Sequence, residues 1–74
     1  MDNKSQTLKN NIRKLRFEYG EISQQELANA VGVTRLTIHS VENNKFNPSV
    51  VLAIKISDYF NKKVEEVFYL SDDD

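Results

Sequence analysis

The chain has no cysteine and no tryptophan, one proline, one histidine and two glycines in 74 residues. Without cysteine there is no disulfide framework, no thiolate chemistry and no cysteine zinc finger, a composition suited to a reducing compartment. The lone histidine, His39, has no nearby nucleophile and no Asp, Glu or second His at metal-ligand spacing. Neither Gly20 nor Gly32 belongs to a phosphate-cradling loop of the P-loop or dinucleotide type. No enzyme activity, no cofactor and no metal are therefore expected. No apolar run approaches the roughly 18 residues that a membrane span requires, and the first residues are polar. The expectation is a cytoplasmic protein with neither signal peptide nor membrane contact.

A chain this short fits one small domain that buries about 60% of the surface its unfolded form exposes. Residues 1–6 and 71–74 are expected as flexible tails, and dimerisation would add to a limited stability margin. The net charge of −1 conceals an asymmetry. Residues 1–45 hold seven Lys and Arg against five Asp and Glu, a balance of +2, whereas residues 46–74 hold three against six, a balance of −3. Surface distribution rather than total charge decides polyanion binding, so the balance does not exclude nucleic acid.

The informative stretch runs from Ser23 to Asn44. Ser23 and Glu26 have capping-box spacing, so a helix is predicted from Gln24, with Leu27, Ala28, Ala30 and Val31 as its apolar face. Gly32 can take the left-handed conformation that ends it. Val33 plugs the turn, Thr34 caps a second helix, and Ile38 and Val41 share its inward face. Ala28 matters as much as Gly32, because helices crossing at a tight turn need a place of close backbone approach. Together these features make a helix-turn-helix; an ordinary helical hairpin in a small bundle is the plainer alternative.

Leu8, Ile12, Leu15 and Tyr19 predict a first helix over Thr7–Tyr19, ended by Gly20. Arg16 lies near its inward side, an unusual place for a charge, and Glu42 on the inward margin of the second motif helix is the candidate partner. Asn44 to Pro48 is a turn-rich loop. Ser49 caps a helix to about Asn61, with Leu52, Ala53, Ile56, Tyr59 and Phe60 on one face. Val50 and Ile54 on its other side cover another segment or a dimer partner. Val64, Val67 and Phe68 suggest a short last helix. Val67, Phe68, Tyr69 and Leu70 either close the domain's own core or form a dimer interface.

With Ile38 and Val41 inward, the second motif helix shows Leu36, Ser40 and Asn43 outward, with His39 at the edge and Thr34 and Arg35 at its N-terminal end. In a helix-turn-helix that end enters the major groove. Arg35 can bond guanine O6 and N7, Leu36 can pack on a thymine methyl, and Thr37 and Ser40 can reach bases or phosphates. Gln24, Asn44, Lys45 and Asn47 suit phosphates. His39 meets a base or phosphate, or is simply a solvated surface residue.

Gln24 to Glu42, the Gly32 turn, Asn44-Lys45 and Asn47-Pro48-Ser49 resemble the lambda-repressor and Cro type of helix-turn-helix regulators, the xenobiotic-response-element family, over about residues 8–68. The Asn-Lys-aromatic-Asn-Pro-Ser run and the Glu-Glu-Val-Phe ending are similar to its small dimeric cytolysin-operon repressor type. The resemblance implies an all-α, five-helix lambda-repressor-like fold and a homodimeric repressor on a two-fold symmetric operator of double-stranded DNA. It also implies the Arg16 to Glu42 clamp, with Thr34, Arg35, Leu36 and Ser40 on bases and Gln24 and the Asn44 to Asn47 loop on phosphates. In that type the termini pair as strands, which would set residues near Leu8 against Phe68 to Leu70 and shorten the first helix. Two departures stand out. The Tyr19-Gly20-Glu21-Ile22 connection is one residue longer than in the shortest members, and Leu36 replaces a commonly polar residue. The competing function is a protein-interaction module, such as an antitoxin or anti-repressor, working through the apolar C-terminus.

Overall fold

Ser23, Thr34 and Ser49 each open a helix by the same device in the computed structural model, which describes residues 6–72. Each has extended backbone, and its hydroxyl oxygen accepts the N–H three residues on, at 2.9, 3.2 and 3.0 Å. These caps satisfy donors that no helix can pair internally. They start α2 (Gln24–Val31), α3 (Arg35–Glu42) and α4 (Val50–Tyr59). In α2 the box is complete, since the Glu26 carboxylate accepts the Ser23 N–H at 2.8 Å. Gly32 ends α2 at φ 81°, and its N–H and that of Val33 both bond the Ala28 carbonyl, at 2.9 and 3.0 Å. Ala28 is fully buried at this junction, so its small side chain permits the close α2–α3 crossing. Ala30, expected on the buried face, is instead exposed, leaving Leu27, Ala28 and Val31 inward.

The first helix, α1 (Ile12–Glu18), starts five residues later than the periodicity predicts. Thr7–Asn10 form β1, which pairs antiparallel with β2 (Phe68–Ser71), Leu8 opposite Leu70 and Asn10 opposite Phe68. This is the terminal pairing that the family resemblance implies. Leu8 fits a helical stripe and a strand equally well, and the partner strand settles the choice. A short α5 (Val64–Val67) precedes β2, with the Glu66 carboxylate accepting the Lys63 N–H at 2.8 Å. The result is the five-helix, lambda-repressor-like arrangement with one two-stranded ribbon. Ser71 lies within β2, and the Gln6 amide bonds Asp72 at 2.8 Å. The remainder of the expected tails, residues 1–5 and 73–74, falls outside the described residues.

All five helices feed one core of Ile12, Leu15, Leu27, Ala28, Val31, Ile38, Val41, Leu52, Ile56, Phe60, Val67 and Phe68. Val67 and Phe68 thus serve the chain's own interior, while Tyr69 and Leu70 stay exposed. Tyr19, Tyr59 and Phe60 pack ring against ring at 5.2 to 5.6 Å between centroids. Ser57, buried in α4, is satisfied by donating to the Ala53 carbonyl at 2.8 Å.

Asn10 ties these parts together. Its Oδ1 accepts the Ile12 N–H at 3.1 Å, capping α1, while its Nδ2 donates to the Val41 carbonyl at 3.0 Å near the end of α3. Asn10→Ala leaves the Ile12 N–H without its acceptor and removes one of two donors from the Val41 carbonyl, which keeps the Asn44 N–H at 3.1 Å, and is expected to lower urea-measured stability by about 1 kcal/mol. Asn10→Asp keeps the acceptor but has no N–H for Val41, so it should not restore the loss. An Ala variant within about 0.5 kcal/mol of the original would show the bonds to be incidental.

Candidate nucleic-acid interface

Helix α3 divides by burial. Ile38 and Val41 face the core, whereas Thr34, Arg35, Leu36 and His39 are exposed and Thr37 and Ser40 half-buried. Eight residues make a helix too short to persist alone, so its direction depends on what grips it. Three attachments do so. At its start Gly32 and the Thr34 cap fix the turn, with the Thr34 and Thr37 hydroxyls 3.1 Å apart. At its end Asn10 holds the Val41 carbonyl.

The third grip is electrostatic. Arg16 and Glu42, the pair expected from their inward positions, meet in a two-pronged contact, Nε to Oε2 at 2.6 Å and Nη2 to Oε1 at 3.2 Å. Their side chains are 15% and 6% exposed. The guanidinium also donates from Nη1 to the Ile22 carbonyl at 2.9 Å. That carbonyl is brought round by Gly20 and Glu21, both with positive φ. Glu42 accepts a further bond from Gln24 Nε2 at 3.0 Å, and Gln24 Oε1 lies 3.4 Å from Arg35 Nη1. A continuous polar path therefore runs from α1 through the starts and ends of the two motif helices to the exposed Arg35. Sequence spacing suggests the Arg16 to Glu42 step; the steps through Gln24 have no local signal.

The loop after α3 is shaped by Asn44, whose φ of 61° is left-handed, a conformation that asparagine tolerates better than most residues. Asn44, which is exposed, accepts at Oδ1 from Asn10 Nδ2 at 3.3 Å, so its own NH2 group is not used in that bond. Lys45 and Asn47 are exposed beside it. Asn43 closes α3 by donating to the His39 carbonyl at 2.8 Å. Glu42 is the only carboxylate in α3, and Arg16 neutralises it. The exposed arc of α3 thus offers hydroxyls, an imidazole, a guanidinium and one leucine, with no unpaired acid of its own. Such a surface suits a polyanion with hydrogen-bonding edges.

Comparison with known proteins agrees with this geometry. The helix-turn-helix family matches residues 12–67. An uncharacterized HTH-type transcriptional regulator of Bacillus subtilis, YgzD, is 41% identical over 66 residues, covering 89% of this chain and 98% of its own. An uncharacterized HTH-type transcriptional regulator of Archaeoglobus fulgidus is 43% identical over 67 residues, covering 90% of this chain and 94% of that protein. In structure the chain is similar to the restriction-modification controller protein C.AhdI of Aeromonas hydrophila, with a TM-score of 0.69 and 30% identity over 76% of this chain and 80% of that one.

Glu42→Gln removes the charge that compensates a largely buried guanidinium. Breaking such a pair from one side costs about 3 kcal/mol. Thermal unfolding of the variant should show a loss of that order, and an unchanged melting temperature would mean that Arg16 finds water instead.

Proposed function

The chain belongs to the helix-turn-helix family of DNA-binding transcriptional regulators, and we propose that it acts as a homodimeric repressor that occupies a pseudo-palindromic operator and so blocks a promoter. The observation that carries this reading is the exposed arc of α3, held rigidly from behind and open in front. Arg35, Leu36, Ser40, Thr34 and His39 read base edges in the major groove. Thr37, Gln24, Asn44, Lys45 and Asn47 hold phosphates, Gln24 from the amide-bearing start of α2 and Asn44 through the NH2 group that its bond to Asn10 leaves unused. Within the family, the Asn44 to Ser49 run and the paired ends support the small dimeric cytolysin-operon repressor type.

A symmetric dimer sets two recognition helices about 34 Å apart, in successive major grooves. Val50 and Ile54 on α4, and Tyr69 and Leu70 on β2, are among the exposed apolar side chains that a second copy could cover, whereas Val67 and Phe68 are used internally. The same exposed Tyr69 and Leu70 favour the second reading, an antitoxin or anti-repressor that docks on another protein.

Selection of duplexes from a random library by the purified protein, followed by variant binding, separates the two. Arg35→Ala should weaken binding to the enriched duplex by about 1–3 kcal/mol and relax preference at one position per half-site. Lys45→Ala should weaken all duplexes alike and reduce the salt slope by about one. Unchanged affinity in both variants would overturn the site assignment. No enrichment at low salt would favour protein docking through Tyr69 and Leu70.

A further inference from the structure

Resting on the reading of α3 as the DNA-facing helix, the geometry points to a subsite for the C5-methyl edge of a thymine between Leu36 and Phe46, with Phe46 as a specificity-determining residue supplied by the loop. Thr34, Leu36, Thr37 and Ser40 from α3 and its cap, and Lys45 and Phe46 from the loop, line a cleft of about 370 Å³. The loop returns to α3 because Asn44 is left-handed and the Lys45 N–H bonds the Ser40 carbonyl at 2.9 Å. Phe46 thereby shares a half-open cleft with the exposed side of α3. Leu36 is 64% exposed and Phe46 50%, and the core is complete without either.

Two large apolar side chains meeting in a cleft with a hydroxyl and ammonium rim call for a ligand that is apolar at one edge and polar around it. Thymine fits that description among the four bases, since in the major groove it shows a methyl group beside the O4 acceptor. Ser40 lies one turn beyond Leu36 on the same side of α3. Its hydroxyl, which has no partner among the described residues, can donate to O4. Cytosine would present an N4 donor and no methyl, so it would leave the apolar walls unfilled. Lys45, next to Phe46, carries the charge for a phosphate of the bound strand.

The test uses the full chain and the duplex that it enriches, with each thymine replaced in turn by deoxyuridine, which removes the methyl alone. One thymine per half-site should lose about fourfold in affinity on replacement, the worth of one buried methyl. In Leu36→Ala and in Phe46→Ala the same replacement should have no further effect, while Phe46→Leu should retain most of the sensitivity. Specific binding with a flat deoxyuridine scan overturns the subsite, and so does a sensitive thymine whose effect survives in Phe46→Ala. Should Phe46→Ala fail to fold by circular dichroism, Leu36→Ala and the scan of the unaltered protein decide. A protein that enriches no duplex would fail at the earlier step, removing the DNA-reading premise and the subsite together.

Discussion

An arginine and a glutamate taken out of water cost several kcal/mol each, and their attraction offsets this only when geometry is good and the remaining hydrogen-bonding capacity is used. Arg16 and Glu42 meet both conditions. The guanidinium is shared between the carboxylate and the Ile22 carbonyl, and the carboxylate is shared between the guanidinium and Gln24. The pair's main contribution is orientation rather than net stability. A buried charge pair has few alternative arrangements, so it sets where α1, the Ile22 turn, the start of α2 and the end of α3 stand relative to one another. Hydrophobic packing of Ile38 and Val41 holds α3 to the core but tolerates sliding; the pair does not.

The second constraint is the shortness of the elements. Helices of four to ten residues and strands of four cannot stand alone, so each must end on a partner. Ser23, Thr34 and Ser49 supply local partners. Asn10 supplies a distant one, linking the strand ribbon, the start of α1 and the end of α3 through one amide. Its bond to Asn44 Oδ1 carries the same constraint to the exposed loop beside Lys45.

What could be read from sequence follows the range of each signal. Ser23 with Glu26, and Ala28 with Gly32, act within four residues, so the motif and its turn were legible without any structure. The start of α1 was ambiguous because Leu8 satisfies two periodicities, and only β2 decides between them. Asn10 carries no signal, since its partner Val41 is 31 residues away. Val67 to Leu70 read as one apolar run; the change from helix to strand at Phe68 splits it into two buried and two exposed residues. Phe46 falls in the turn-rich Asn44 to Pro48 loop, and its place in the cleft beside α3 has no local signal in the sequence.

In the proposed complex the exposed arc of α3 enters successive major grooves, with the start of α2 and the Asn44 to Asn47 loop on the flanking phosphates. Hydroxyl-radical footprinting of the enriched duplex tests it most directly, because it reports sugar-phosphate protection base by base. A symmetric dimer should give two patches of protection related by two-fold symmetry, on one face of the duplex and about 10 base pairs apart centre to centre. Continuous protection of both faces, or a single unrepeated patch, would contradict it.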